Sequence, residues 1–231
     1  MTPVAATVLE ADELYRFYRA AEGEETIALR GVSLTLEAGG FIAVTGPSGS
    51  GKSTLMSCLA GLDEPDGGTV RLDGTPISHR PERERARLRA RLVGVVTQTG
   101  NLIDHLTVRR NIDLAQRIGA RPDRAWREEL LRELGLTARG GAEPAALSGG
   151  EAARAALAVA LATRPPVVLA DEPTGELDAH TESEVLALLS GLAESGVGVV
   201  VASHSPAVAL AADRTVHLRD GRIMTSGEPR R

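Results

Sequence analysis

Residues 41–60 read FIAVTGPSGSGKSTLMSCLA. Phe41 to Thr45 form a short apolar run with the branched residues of a buried strand. Gly46 to Gly51 break that run, and Lys52 to Ala60 resume in residues that suit a helix. Strand, glycine loop and helix in this order are the context that G-x-x-x-x-G-K-[ST] requires. Gly46, Pro47, Ser48, Gly49, Ser50, Gly51, Lys52 and Ser53 fill that pattern, with Thr54 next. The glycines let successive backbone N–H groups turn inward around phosphate oxygens, while the following helix presents its positive end. Lys52 sets an ammonium against the β- and γ-phosphates, and the Ser53 hydroxyl suits Mg²⁺.

The lysine is informative for a second reason. Of 26 Lys and Arg residues, Lys52 is the only lysine. Arginine's planar fork and lysine's compact ammonium are not interchangeable, so the position where arginine is avoided is one where a point charge is needed.

Outward from this stretch, strands and helices alternate. TVRL (69–72) stops at Asp73-Gly74 as a strand and turn. PERERARLRARL (81–92) opens with a proline suited to a first helical turn and mixes Glu with Arg, as an exposed helix does. VGVV (93–96), PVVLAD (166–171) and VGVVVAS (197–203) read as buried strands, and 181–194 as a helix. RTVHLRDGRIMTSG reads as a hairpin turning at Asp220-Gly221. Between Val96 and Pro166 the strand signal disappears and two amphipathic helical stretches, near 107–118 and 123–134, take its place. The expected fold is α/β: a phosphate-loop nucleotidase core with a mainly parallel sheet, antiparallel β elements and an inserted helical subdomain. The expected division is a core of 1–97 and 164–231 with a helical subdomain of about 98–163.

Composition sets limits on function. The 231 residues carry a formal charge of −5 and a sequence pI near 5.6, against the basic excess of a general nucleic-acid binder. The single cysteine, Cys58, cannot form an intrachain disulfide and fits a reducing compartment. The first residues, MTPVAATVLEADELYRFYR, lack the basic start and apolar stretch of an export signal. No uncharged apolar run approaches a membrane span, so a membrane role requires a partner that supplies the spans.

Two further segments narrow the chemistry. The 166–171 strand ends in Asp171-Glu172, two carboxylates at the sheet edge where such folds bind ligands. Asp171 suits the water shell of Mg²⁺, and Glu172 suits orienting and deprotonating an attacking water. Two acids after a strand also suit an ordinary helix start. Leu147-Ser148-Gly149-Gly150-Glu151 places a good N-cap and a glycine pair before an alanine-rich helix, which by itself is equally a cap and loop.

With LSGGE in place, the chain resembles the ATP-binding subunit of ABC transporters over nearly its whole length. The resemblance implies that Ser148, Gly149 and Gly150 bind the γ-phosphate of ATP held by an opposite subunit. It implies that Gln98 is the glutamine that reaches the Mg²⁺ and water region, and that His204 contacts the γ-phosphate. Asp178 in Gly-Glu-Leu-Asp matches the loop that crosses the dimer interface. Tyr18, in a cluster with Tyr15 and Phe17, best fits the adenine-stacking position; a core role for that cluster is the alternative. The catalytic set is then Glu172, His204, Gln98 and Lys52, with Ser53, Gln98 and Asp171 toward the metal.

There are departures from the family pattern. Ala152 and Ala153 follow Glu151 where two glutamines are common, Val159 stands where arginine is usual, Glu176 where asparagine is usual, and Ser205 where aspartate is common. None removes a group that hydrolysis needs. GPSGSGKSTLM, the acidic LSGGE and ADEPTGELD resemble the macrolide-export and lipoprotein-release type. The resemblance implies ATP and Mg²⁺ as ligands, hydrolysis to ADP and phosphate, a second ATP-binding subunit (a homodimer) and a separate transmembrane permease. Nucleic acid is not an expected partner, and the expected location is the cytoplasmic face of the cell membrane, held there by the permease. The other class is the soluble ABC-type ATPases that act on nucleic acid or in translation. Those usually carry a long insertion or a second cassette, for which 231 residues leave no room.

Overall fold

The structure is a computed structural model that describes residues 6–19, 25–97 and 101–226. In chain order it runs β1 (Thr7–Arg19), β2 (Glu25–Glu37), β3 (Phe41–Thr45), α1 (Lys52–Leu59), β4 (Gly67–Leu72), β5 (Thr75–Pro76) and α2 (Glu82–Leu92). Then come β6 (Val93–Val96), α3 (Val108–Ile118), α4 (Arg124–Glu133), α5 (Gly149–Ala160), β7 (Val167–Asp171) and α6 (Ala179–Glu194). The last elements are β8 (Gly198–Ala202), α7 (Pro206–Ala211), β9 (Arg214–Arg219) and β10 (Arg222–Ser226).

The strands form two sheets. One is antiparallel with order β2-β1-β4-β5, and the other has order β10-β9-β3-β8-β7-β6. In the second, β9, β3, β8, β7 and β6 are parallel, and only β10 runs the other way. Period-two alternation divides its side chains between two apolar layers. Phe41, Ala43, Val168, Ala170, Val199 and Val201 pack with α3, α4, α5 and α6. Ile42, Val44, Val167, Leu169, Val200 and Ala202 pack with α1 and the antiparallel sheet. Being covered on both faces is why these strands read as unbroken apolar runs.

The segment without strand signal packs directly on the sheet edge. At Gly94 of β6 a Cβ would lie 2.5 Å from the Ala160 carbonyl at the end of α5, so the glycine permits that close approach. Side chains cap the helices: Thr107 for α3, Asp123 for α4, Ser148 for α5, Asp178 for α6 and Ser205 for α7.

Two features differ from the sequence reading. Pro81 is not in the first turn of α2 but precedes it as the N-cap residue, with extended ψ of 138°. The ring's missing N–H and fixed φ suit either place. More consequentially, β1 and β2, at 13 residues each, are the two longest strands among the described residues. Alternation in β1 (Leu9, Ala11, Leu14 buried) is broken by a bulge at Glu13, where φ is 49°. β2 is broken at Gly31, where φ is 72°. A bulge shifts the period by one residue and hides a strand from pattern reading.

Candidate active site

The ends of the parallel strands gather the phosphate loop, the acidic pair and the histidine. Because β3, β7 and β8 are parallel, their C-terminal edges coincide. The phosphate loop leaves β3, Asp171-Glu172 leave β7, and Ser203-His204 leave β8. In the loop Gly46 has φ of 147° and Gly51, which caps α1, has φ of 103°. A Cβ at Gly46 would stand 2.1 Å from the Leu218 carbonyl, and one at Gly51 would stand 2.4 Å from that of Ala28. Both glycines are therefore required by backbone conformation and by neighbouring backbone. The turn of the β9–β10 hairpin supports the loop, since Gly221 N–H donates to the Ser50 carbonyl at 3.1 Å.

Lys52 curls back over the loop and donates from Nζ to the carbonyls of Gly46 (2.9 Å) and Pro47 (3.1 Å). Pro47, Ser48 and Gly49 line the outer side of the loop, Ser48 and Gly49 exposed, whereas Ser50 is buried with its Oγ unpartnered. Ser53 is exposed in the first turn of α1, and Thr54 is half-buried beside it.

Asp171 and Glu172 have different surroundings. Asp171 Oδ1 is buried and without a hydrogen-bond partner, which in a carboxylate calls for a cation or its water shell. No group of three or more His, Cys, Asp or Glu that could hold a metal occurs among the described residues. A magnesium-type site needs no such group, because one protein carboxylate and a hydroxyl combine there with phosphate and water oxygens. Glu172 is held from three directions. Its backbone, at φ of 49°, donates to the Ala202 carbonyl at 2.8 Å. Its Oε2 accepts from the Ser203 hydroxyl at 2.9 Å, and its Oε1 lies 2.9 Å from His204 Nδ1.

Sequence reasoning does not single out Ser203. It is buried at 1 % exposure, and its Oγ also accepts the Ser205 N–H at 3.1 Å. A lone serine after a valine run carries little signal. Only the pairing of Ala202 with Asp171 across β7 and β8 places it under Glu172.

The LSGGE segment starts α5. Ser148 Oγ accepts from Glu151 N–H at 3.3 Å and the Glu151 carboxylate accepts from Ser148 N–H at 2.9 Å, a complete capping box. Arg139 Nε holds the other oxygen of Glu151 at 2.8 Å. Gly149 is exposed beside Ser148, whereas Gly150 is buried with a Cβ position 2.5 Å from Thr181 Cγ2. Asp178 caps α6 by accepting from His180 N–H (3.0 Å) and Thr181 N–H (3.1 Å), and the Thr181 hydroxyl donates to it at 2.7 Å. These bonds, the Thr181 hydroxyl first among them, hold its carboxyl below the usual range. Ser205 supplies the α7 cap that an aspartate would, accepting from Ala207 N–H at 3.2 Å. Gln98 lies outside the described residues.

Tyr18 is 40 % exposed on β1, its hydroxyl donating to Asp63 Oδ2 at 2.7 Å. It is therefore not a core residue. Tyr15 is 38 % exposed and stacks on Phe17 at 6.5 Å between centroids.

A phosphate loop, a strand-end Asp-Glu pair and a histidine on the adjoining strand, all on one edge of a parallel sheet, define a P-loop nucleotide hydrolase. Comparison with known proteins narrows this class. Residues 29–175 match the ABC transporter family model. The chain is 41% identical over 204 residues to the uncharacterized ABC transporter ATP-binding protein YvrO of Bacillus subtilis, covering 87% of this chain and 89% of that one. It is also 41% identical over 227 residues to the macrolide export ATP-binding/permease protein MacB of Shigella flexneri. That match covers 97% of this chain and 34% of MacB, so the chain spans about a third of that relative's length. Among solved structures, the dimeric MJ0796 cassette, a bacterial ABC transporter cassette, superposes with a TM-score of 0.88 at 34% identity, over 96% of this chain and 99% of that one. A post-hydrolysis dimer of MJ0796 bound to ADP and Pi matches equally. The chain belongs to the ABC transporter family as an ATP-binding cassette, and its likeness extends to the macrolide-export type.

Proposed function

We propose that this cassette hydrolyses ATP at two sites formed between two copies and thereby drives a separate membrane permease. The observation that carries the reading is the Glu172 carboxylate, held by Ser203 and His204 on the edge that also bears the phosphate loop. Loop N–H groups from Gly46 to Ser53 bind the phosphates, and Lys52 exchanges its two carbonyl partners for phosphate oxygens. Ser53, Asp171 and Gln98 would hold Mg²⁺, which when bound would neutralise phosphate charge. Glu172 accepts a proton from the attacking water, while His204 orients the carboxylate and the γ-phosphate. The start of α5, Ser148 to Gly150, supplies N–H groups and a positive helix end to the nucleotide of the other copy, and Asp178 sits at that interface.

Because closure then requires nucleotide between the two copies, ATP favours the paired state and hydrolysis releases it. The segment of about 98–163 would carry this change to the permease. Among the described residues no helix is long and apolar enough to cross a membrane. The dimeric cassette relative and the export-protein relatives support pairing, an exporter- or extraction-type permease and a place on the inner face of the cell membrane.

Glu172→Gln tests the reading. Glutamine keeps the size of glutamate but takes no proton, so phosphate release should fall about 10²–10⁴-fold while ATP binding persists. The variant should also accumulate as an ATP-bound dimer in sedimentation. Near-normal turnover would remove Glu172 from the role of base.

A further inference from the structure

The same helix whose start faces the phosphate loop leads into two carboxylates, Asp63, which bonds Tyr18, and Asp66, which bonds Arg16 beside it. After α1 the chain folds back on itself, with Leu62 and Asp63 N–H groups both donating to the Ser57 carbonyl. This places Asp63 against β1. Arg16 Nε and Nη2 donate to the two Asp63 oxygens at 2.8 and 2.9 Å, a bidentate fork, and Nη1 donates to Asp66 at 3.0 Å. Asp66 also accepts Phe17 N–H at 2.7 Å. With its nitrogens thus fixed, the Arg16 guanidinium lies over the Tyr18 ring, 4.6 Å from its centroid. The Tyr18 hydroxyl donates to Asp63 Oδ2, the oxygen that Arg16 Nε holds, and Thr54 of α1 lies beside that hydroxyl.

Each contact limits a different motion. The hydroxyl bond fixes the tip of the ring, and the guanidinium covers one face. The bulged strand fixes the base. A cation so placed attracts the ring's electron-rich face, and Asp63 and Asp66 keep it from swinging toward the triphosphate. Arg16 is 21% exposed and Asp63 25%, so water weakens the pair only in part. Tyr18 stays 40 % exposed with the guanidinium over one face.

We propose that Arg16 and Asp63 are positioning residues for nucleotide recognition, clamping Tyr18 so that the face opposite the guanidinium is a preset platform for the adenine base. This rests on the reading of Tyr18 as the adenine-stacking residue. The clamp ties the base platform to α1, so the distance between base and phosphates is set by one helix and the turn after it. Affinity gained this way comes from ring ordering completed before the nucleotide arrives.

The clamp acts on the base and leaves the phosphate loop alone, and the test uses that separation. Binding of ATP and of inorganic tripolyphosphate, each with Mg²⁺, is measured by calorimetry on the full chain. Tyr18→Ala should weaken ATP about tenfold or more. Tyr18→Phe, which keeps the ring and removes one oxygen, should weaken it about fivefold, as loss of one hydrogen bond of ordinary net strength predicts. Arg16→Gln should weaken it by a similar factor, and all three should bind tripolyphosphate as the parent does. If Tyr18→Ala weakens ATP while Tyr18→Phe and Arg16→Gln do not, the clamp is refuted and the adenine reading stands. If Tyr18→Ala leaves ATP binding unchanged, the adenine reading fails and the clamp with it. Equal loss of ATP and tripolyphosphate would make Arg16 and Tyr18 structural residues and overturn the proposal. Should Arg16→Gln not fold, Tyr18→Phe decides the matter.

Discussion

Replacing Ser203 by alanine removes a single oxygen atom on which two neighbours depend. That oxygen donates to Glu172 Oε2 at 2.9 Å and accepts the Ser205 N–H at 3.1 Å, in a residue only 1 % exposed. A hydrogen bond to a charged group contributes about 1.5–3 kcal/mol, and the orphaned Ser205 N–H adds to the loss. In a domain of this size each kcal/mol lowers the melting temperature by about 2–4 °C, so a decrease of about 3–12 °C is expected. Glu172 keeps its contact to His204 Nδ1 and its strained backbone, so the carboxylate stays near the site but loses one of two anchors. A turnover loss of about tenfold fits one missing positioning contact. Nucleotide affinity should not change, because no phosphate-loop contact is touched. Ser203→Thr restores the hydroxyl and should recover both rate and stability. The assay is steady-state phosphate release, giving kcat and KM separately, beside thermal denaturation. A variant that melts several degrees lower yet turns over at the parent rate would show that Ser203 serves the fold alone and refute its role in positioning Glu172.

Lys52→Ala and Lys52→Arg should each weaken ATP binding about tenfold or more, since a nest closed around Gly46 and Pro47 admits a point charge but not a planar fork; titration with labelled nucleotide showing arginine within about twofold of the parent would contradict that. Ser148→Asp keeps a good N-cap, so α5 should stay as stable as in the parent, but the added charge meets an anion, and ATP-dependent pairing in sedimentation should disappear. For Asp63, burial opposes ionisation, but the Arg16 fork and the Tyr18 hydroxyl outweigh it and hold the carboxyl below its usual range. Its stabilisation is thus present above the unfolded value near about 3.9 and is lost as pH falls through the lower folded value. The melting-temperature gap between the parent and Asp63→Asn should be widest above pH about 5 and close on acidification; a gap constant to pH about 2.5 would exclude the ion pair as its source.

Much of the site is legible in the sequence because its chemistry is local there. The phosphate loop, Asp171-Glu172 and LSGGE are contiguous, and each brings its own strand end or helix start. Runs buried on both faces also announce themselves, which is why β3, β6, β7 and β8 stand out. Register and bulges hide the rest. β1 and β2 alternate correctly only when the extra residues near Glu13 and Gly31 are allowed for. Ser203 gains its role only from the neighbouring strand. Arg16 and Asp63 stand 47 positions apart and meet only because the turn after α1 returns to β1. The departures Val159 and Ser205 have local explanations: Val159 packs partly buried against the helical side of the core, and Ser205 caps α7. Nothing in the structure explains Glu176, which is exposed.

The support of the phosphate loop by the β9–β10 turn has a consequence for how the molecule is made. β3 lies between β8 and β9, and Phe41 N–H donates to Asp213 across 172 positions of sequence. The nucleotide cradle thus lacks a flank until the β9–β10 hairpin, far later in the sequence, has left the ribosome. Contacts so distant close slowly, because chain entropy is lost before they form. During synthesis β3 would expose two unpaired apolar edges, a hazard for misassociation, and ATP competence would arrive last, with the ordering of Gly221 against Ser50. Nucleotide binding by nascent chains halted at increasing lengths would therefore rise in one late step as the hairpin emerges.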